Sequence, residues 1–565
     1  MLQIISGKFF TSDDRHVHEG KGILYSNCSW VAPIKTSIGI LEPVDYSGDI
    51  SGFVFNYKNQ IEKDGILVRC GDDEILEQFK LICSFGLKSY FSEYREQVIK
   101  TCSTIKSKNT QGYPASQFLS DKVLLKKNLN GSDIEHFVKL TNKIISLDRK
   151  SYKKVINSLR TLSDVVETVA YNIDLAYSMI VYCLESLSQN VDYPSSSWDD
   201  WDKDSKSKLE NILAGVPDKT SDDIKTVLLE DKYFKLQQRY ISFVKQNLSE
   251  AFYISEADGI QIPLRGGQLE KALSNTYQMR SKLVHSLQPI QDQIRHPVIG
   301  KNDVFTFSGN PYLTFSGLFR LASHVVESYI FSLTSNERES FNYRQDLPGI
   351  MTMEMASQYW IWRDESFNGK SANQRLGAFL GQLESGQPVT ELTKVMAKIK
   401  KIFSQTPKSQ RAPMLYLFWI YNFVLQEDLR TPGWESFVAK HDECFNEVRF
   451  ENIAVRAVTG VEVPWSLYVC IKEYKKYSKN RHKAGHLSLT PLTEASILCS
   501  IANKARHEGA GREYYWLINT ALSELSGKRE VQAFLYKKML NFEEIKTRKL
   551  IEWNRVKEDE TSKIA

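Results

Sequence analysis

The stretch LEKALSNTYQMRSKLVHSLQP, Leu269 to Pro289, decides how the chain is read. Leu269, Ala272, Leu273, Thr276, Met279 and Leu283 recur at helical spacing and form one apolar stripe, so this helix packs into a bundle. Arg280 lies near the edge of the stripe. His285 follows five residues later, about 140° further round an ideal helix. The two side chains therefore do not share a face, and either the helix end or a second copy of the helix must bring them onto one phosphate. Pro289 favours the helix end, because the residue before a proline avoids the α conformation. His285 then sits in the last turn, where the negative end of the helix dipole favours imidazolium. Imidazole suits proton transfer near neutral pH, and the Arg280 guanidinium offers a permanent charge in a planar fork that matches phosphate oxygens.

Outward from this helix the pattern stays helical. Segments 133–146, 151–190, 204–231 and 232–252 read as amphipathic helices, with a turn-rich acidic loop, SQNVDYPSSSWDDWDKDSKS, whose Trp198 and Trp201 are expected to pin it to the body. DVFTFSGNPYLTFSG reads as a short β excursion leading into the helix Gly317 to Ile330. The first 70 or so residues look like strands: GKGILYSNCSW, TSIGIL, SGFVF and GILVRC, separated by turn residues. A helical pattern runs from Asp72 to Lys106, then the polar connector SKNTQGYPAS and a strand-like FLSDKVLL. From Gln345 onward the chain is again mostly helical, broken at GQPVT, KSQRAPM and RTPGW.

Composition sets the class. With 565 residues the chain is too long for one compact core. Hydrophobic residues make up 42% and charged residues 25%, and the net charge of +5 is the small difference between 73 basic and 68 acidic side chains. Any nucleic-acid surface must therefore come from local clustering. The eight cysteines are scattered without CxxC or zinc spacing. MLQIISGKFF lacks the features of a signal peptide, and the most apolar run, MLYLFWIYNFVL, is too short to span a bilayer. A cytoplasmic protein with its cysteines in apolar cores is expected, without membrane association.

Arg280-Ser281-Lys282-Leu283-Val284-His285, late in a helical bundle, resembles the R-x(4–6)-H signature of HEPN domains. YNIDLAYSMIVYCLESLSQ looks like the long early helix of that family. PYLTFSGLFRLASHVVESYI is similar to the segment that follows the motif in Apea-like HEPN proteins of bacterial defence systems. The resemblance covers roughly residues 148–345, and Ser281 stands where Asn, Asp or His is commoner. It implies a metal-independent, cofactor-free endoribonuclease acting as a dimer or higher homo-oligomer, whose 2′-OH attack leaves a 2′,3′-cyclic phosphate and a 5′-OH. His285 would be general base or acid, Arg280 would stabilise the phosphoryl oxygens, and Glu185 would orient one of them. Structured RNA, tRNA included, would be the substrate, with a phage-derived trigger or an antitoxin as partner. The reading from another class is a catalytically silent HEPN scaffold or sensor.

Ser281 and Lys282, beside Arg280, are further candidates for RNA contact. So is IKEYKKYSKNRHK (Ile471 to Lys483), where Lys475, Lys476 and Arg481 would hold a backbone and Tyr477 would stack on a base. His16 and His18, in DDRHVHEG, read as an exposed polar turn rather than a metal site. FNGKS has Asp364 where a phosphate loop needs its first Gly. RHKAGH (Arg481 to His486) repeats Arg-x4-His without an apolar stripe, and RHEGAGRE reads as a break between helices. The expected protein is mainly α: a β-rich domain over 1–116, a HEPN-like bundle over 117–345 and an all-α domain over 346–565.

Overall fold

The computed structural model describes all residues except 46–48, 64–70, 104–111, 121, 190–197, 199–202, 231–235, 298–300, 349–352, 386–388 and 547–565. The GILVRC segment, Trp201 and most of the acidic loop lie outside the described residues. The chain is mainly α-helical and divides into two units, Met1–Met351 and Thr352–Ala565.

The first unit opens with an antiparallel five-stranded sheet in the order β2-β3-β4-β1-β5, from strands β1 (Arg15–Ser26), β2 (Ile34–Thr36), β3 (Gly39–Asp45), β4 (Ser51–Glu62) and β5 (Phe91–Ser92). The long pair β1 and β4 runs in unbroken register from Arg15 opposite Glu62 to Ser26 opposite Ser51. Phe53, Phe55, Tyr57 and Ile61 alternate onto the buried face of β4. The helix Asp73–Gly86 packs on the sheet, with the Phe79 and Phe55 rings stacked at 3.6 Å. Gly22 permits this approach, since a Cβ there would stand 2.5 Å from Leu76 Cδ1.

Helices Gly131–Ser146, Arg149–Thr168, Ile173–Ser188, Leu236–Gln246, Gly266–Ser286 and Phe315–Ser332 complete this unit. Asn172 caps Ile173–Ser188 through its side chain and splits the expected 151–190 helix in two. The β excursion is a hairpin, Val304–Phe307 with Asn310–Leu313. FLSDKVLL is not a strand: it holds the end of a short helix, Ala115–Phe118, and a turn. The region 72–106 is not one helix either, because β5 separates Asp73–Gly86 from Arg95–Cys102. One apolar core runs from Met1 to Leu347, so the expected division at 116/117 is bridged by packing. Tyr343 reinforces it, donating its hydroxyl hydrogen to Glu62 at 3.1 Å.

The second unit is helical throughout its described residues and has its own core, from Ile361 to Ile545. The apolar run lies in the helix Lys408–Val424, where buried Asn422 donates to Phe418 O and accepts from the Thr431 N–H. Pro413 stands inside this helix and leaves the Ser409 carbonyl without its usual donor. Arg449 Nη2 supplies one at 3.3 Å. No helix among the described residues is long and apolar enough to cross a membrane. Cys28, Cys83, Cys183, Cys444, Cys470 and Cys499 are buried and unpaired.

Candidate functional site

The helix Gly266–Ser286 buries Leu269, Ala272, Leu273, Asn275, Thr276 and Met279, which is the apolar stripe with Asn275 added and with Leu283 only half-buried at its end. Asn275 earns its place by donating to the Pro311 carbonyl of the hairpin at 2.8 Å. The helix ends two residues before Pro289, at Leu287, whose φ of +52° is left-handed. The Leu287 N–H reaches Leu283 O at 3.0 Å and the Gln288 N–H reaches Lys282 O at 3.3 Å, which satisfies two carbonyls of the final turn. The chain then returns to the helix Ile173–Ser188, where Asp174 accepts from the Ile290 N–H and pairs with Arg295.

Arg280 points inward from this helix. Its Nη2 lies 2.8 Å from Glu185 Oε2, with side chains 18% and 6% exposed respectively. The contact is an ion pair lacking hydrogen-bond geometry, since Glu185 Oε2 has no hydrogen-bond partner. Tyr277, one turn before Arg280, donates its hydroxyl to Glu185 Oε1 at 3.2 Å, and its ring lies 5.9 Å from the guanidinium. Burial and the Glu185 charge push the Tyr277 hydroxyl up to about 12, so it stays protonated and keeps donating. Of its two expected partners Glu185 meets Arg280.

His285 is exposed, in the last turn of the same helix, and makes no hydrogen bond, ion pair or ring contact among the described residues. Because the helix remains regular through Ser286, its end does not swing His285 onto the Arg280 side. The expectation that Pro289 would do so is corrected by the left-handed stop at Leu287. Val284 and Leu287 beside His285 are exposed apolar residues. Ser281 is half-buried and Lys282 exposed, next to Arg280.

The basic stretch of the second unit turns its tyrosines the other way. Tyr474 and Tyr477 are buried in the helix Leu467–Asn480, and both hydroxyls donate to Glu494, at 3.1 and 3.0 Å. Tyr477 stacks on Phe450 at 4.1 Å, which removes it from any surface where a base would stack. Arg481 Nη1 binds Glu494 at 2.7 Å and lies 3.0 Å from Glu524. Lys475 and Lys476 stay exposed, the first over the Trp516 ring and the second beside Glu473. His16 and His18 lie not in a turn but in β1, opposite Ile61 and Asn59. No group of three or more His, Cys, Asp or Glu among the described residues is placed to hold a metal ion. The break RHEGAGRE falls between the helices Pro491–His507 and Gly511–Glu524.

Tyr277 is the site residue that the sequence reading missed. Its signal was present, for a tyrosine three residues before an arginine shares its helix face. Comparison of the chain with protein-family models, with curated proteins and with solved structures gives no match.

Proposed function

We propose that the chain is a metal-independent endoribonuclease of the HEPN type, working as a pair of copies. One observation carries the reading. A half-buried arginine is paired with a buried carboxylate that also accepts from a tyrosine, and a histidine without a partner among the described residues stands exposed at the end of the same helix. On a single helix these groups face different ways, so each cleavage centre takes Arg280 and His285 groups from two copies. The exposed Val284 and Leu287 give the second copy an apolar footing around His285. In the reaction the ribose 2′-oxygen bonds to phosphorus and the bond to the 5′-oxygen breaks. One His285 takes the 2′-hydroxyl proton, the other protonates the departing 5′-oxygen, and Arg280 balances charge on the phosphoryl oxygens. Glu185 and Tyr277 hold the guanidinium in place. The RNA-cleaving effector role, with restraint by a partner or trigger, follows from the family resemblance. The residues offered for RNA contact reduce to Ser281 and Lys282 near Arg280 and the exposed Lys475 and Lys476 in the second unit.

A second reading has its own support. The Arg280–Glu185 pair is mostly buried and would serve equally as an internal tie in a silent scaffold. Incubation of the full chain with total RNA in EDTA, followed by analysis of product ends, separates the two. Cleavage leaving 2′,3′-cyclic phosphates, lost in His285→Ala with an unchanged melting curve, is the expected result. No cleavage by the wild type, or equal cleavage by His285→Ala, would leave the scaffold.

A further inference from the structure

A cavity of about 470 Å³ lies within the first unit, away from the residues of the proposed cleavage site. Its walls come from the helix Asp73–Gly86 and the turn after it, from Gly131–Ser146, Arg149–Thr168 and Phe315–Ser332, and from the segment around Glu256. Leu159, Leu162, Phe85 and Phe319 supply apolar lining. Charged and titratable groups line the rest.

Most of those groups are already satisfied. Arg320 is held by Asp303, with Nε to Oδ1 at 3.0 Å, and by the Phe252 carbonyl. His324 is used at both nitrogens. The Ser249 backbone N–H can only donate, so Nε2 accepts from it at 3.1 Å. Nδ1 then carries the proton and donates to Glu256 Oε1 at 2.9 Å. Lys126 pairs with Asp133 and Lys122 with Asp258.

Three groups are left open. His136 spends Nε2 on Glu327 Oε1 at 3.0 Å, and its Nδ1 has no partner among the described residues. Glu327 Oε2 accepts no hydrogen bond from them. The Lys88 ammonium makes no hydrogen bond or ion pair with them, although its charge reaches the Glu256 and Glu327 carboxylates. Lys88 is also held at φ +51°, a left-handed conformation that favours Gly or Asn over a long side chain. The turn enforces it. The Lys88 carbonyl accepts from the Lys126 N–H at 2.9 Å, and buried Ser89 ties Leu87 O and Lys126 O together. The turn also closes the helix Asp73–Gly86, with the Ser89 N–H on Ser84 O at 3.2 Å, and it leaves the Lys88 ammonium beside the cavity without an ion-pair partner among the described residues.

We infer that this cavity binds a nucleoside phosphate. Lys88 meets the phosphate, and His136 Nδ1 and Glu327 Oε2 meet ribose hydroxyls. The base lies against Phe85 and Phe319. Lys88 is the lining cation without an ion-pair partner among the described residues, whereas Glu256 lies 3.9 Å from Arg320 and Glu327 3.0 Å from His136, so the ligand offers Lys88 an anionic group. The space and the apolar lining exceed what an inorganic oxyanion fills. This inference does not rest on the ribonuclease reading.

Isothermal titration of the full chain with AMP, GMP, CMP and UMP tests it, with inorganic phosphate and the free nucleosides titrated alongside. At least one nucleotide is expected to bind saturably, and Lys88→Asn to weaken it at least tenfold. Asn tolerates the left-handed turn, so the melting temperature of that variant should match the wild type. Glu327→Gln should weaken binding several-fold. His285→Ala should bind as the wild type does, which keeps the two proposals separable. The inference is overturned if no nucleotide binds, if phosphate alone binds as tightly as the best nucleotide, if Lys88→Asn binds unchanged, or if His285→Ala abolishes binding.

Discussion

Arg280→Ala should destabilise the first unit far more than His285→Ala, although both belong to one proposed site. Arg280 faces Glu185 at 2.8 Å, and the carboxylate is only 6% exposed. Removing the guanidinium leaves that carboxylate with the Tyr277 hydroxyl alone. Breaking one side of a buried pair costs roughly 3–5 kcal/mol. Arg280 itself is 18% exposed, so water can enter where it stood, which places the expected loss near the lower end, about 3 kcal/mol. For a unit of this size about 1 kcal/mol moves the melting temperature by roughly 2 °C, so a drop of about 6 °C is expected. His285 is exposed and makes no hydrogen bond, ion pair or ring contact among the described residues, and its removal should stay within about 0.5 kcal/mol. Scanning calorimetry of the full chain, which resolves the two units if they melt separately, measures both. Adding Glu185→Gln to Arg280→Ala should recover much of the loss, since an amide leaves no buried charge behind. If Arg280→Ala melts with His285→Ala, or if the double variant recovers nothing, the ion pair is not what holds this helix. Lost cleavage in Arg280→Ala alone would then be easier to assign to chemistry. As the pair stands, His285→Ala is the cleaner test.

Leu287→Gly should stabilise the protein by about 0.5–1 kcal/mol, because glycine avoids the left-handed penalty at an exposed position. A lower melting temperature would show that the leucine side chain is needed there. Glu327 makes a pH prediction. Burial would push its carboxyl up, but the hydrogen bond and charge of His136, with the charge of Lys88, bring it below the usual glutamate range. A carboxyl depressed in the folded state stabilises above its unfolded value, about 4.3, and loses that contribution as pH falls through the folded value. Melts taken from about pH 6 down to about pH 3 should therefore fall more steeply for the wild type than for Glu327→Gln; parallel curves would contradict this.

The helices were legible because their apolar residues keep a 3.6 period over long stretches, as in Leu269 to Met279. What failed was local detail decided by distant partners. Phe91 and Ser92 form a strand only because Tyr25 and Ser26 offer an edge, and nothing near them in sequence says so. FLSDKVLL carries strand-forming residues but finds no strand to pair with. The split at Asn172 was readable, since asparagine caps helices, but the apolar run across it hid the signal. Arg280, Glu185 and His285 were singled out by residue type and resemblance, and the structure brings Arg280 and Glu185 together. Which of them meet was not legible, because that depends on how the helix ends, and a left-handed leucine is not announced by its sequence. The lysine-tyrosine stretch divides for a simpler reason. Tyr474 and Tyr477 are three apart and so share one face, which turns to the core while the lysines take the solvent.

The shared interior of the sheet and the helices limits how this protein can be governed. Trimming away the first hundred or so residues would tear open the wall against which the Arg149–Thr168 helix rests, through Tyr152 on Gln78 and Arg160 on Glu77. A fragment that starts after the sheet would lose that wall, so the Arg280 helix is not carried by a bundle that stands apart from the first hundred residues. A signal that reaches the Arg280 helix has to travel through an intact body, as a small shift of packed elements or as the arrival of another copy.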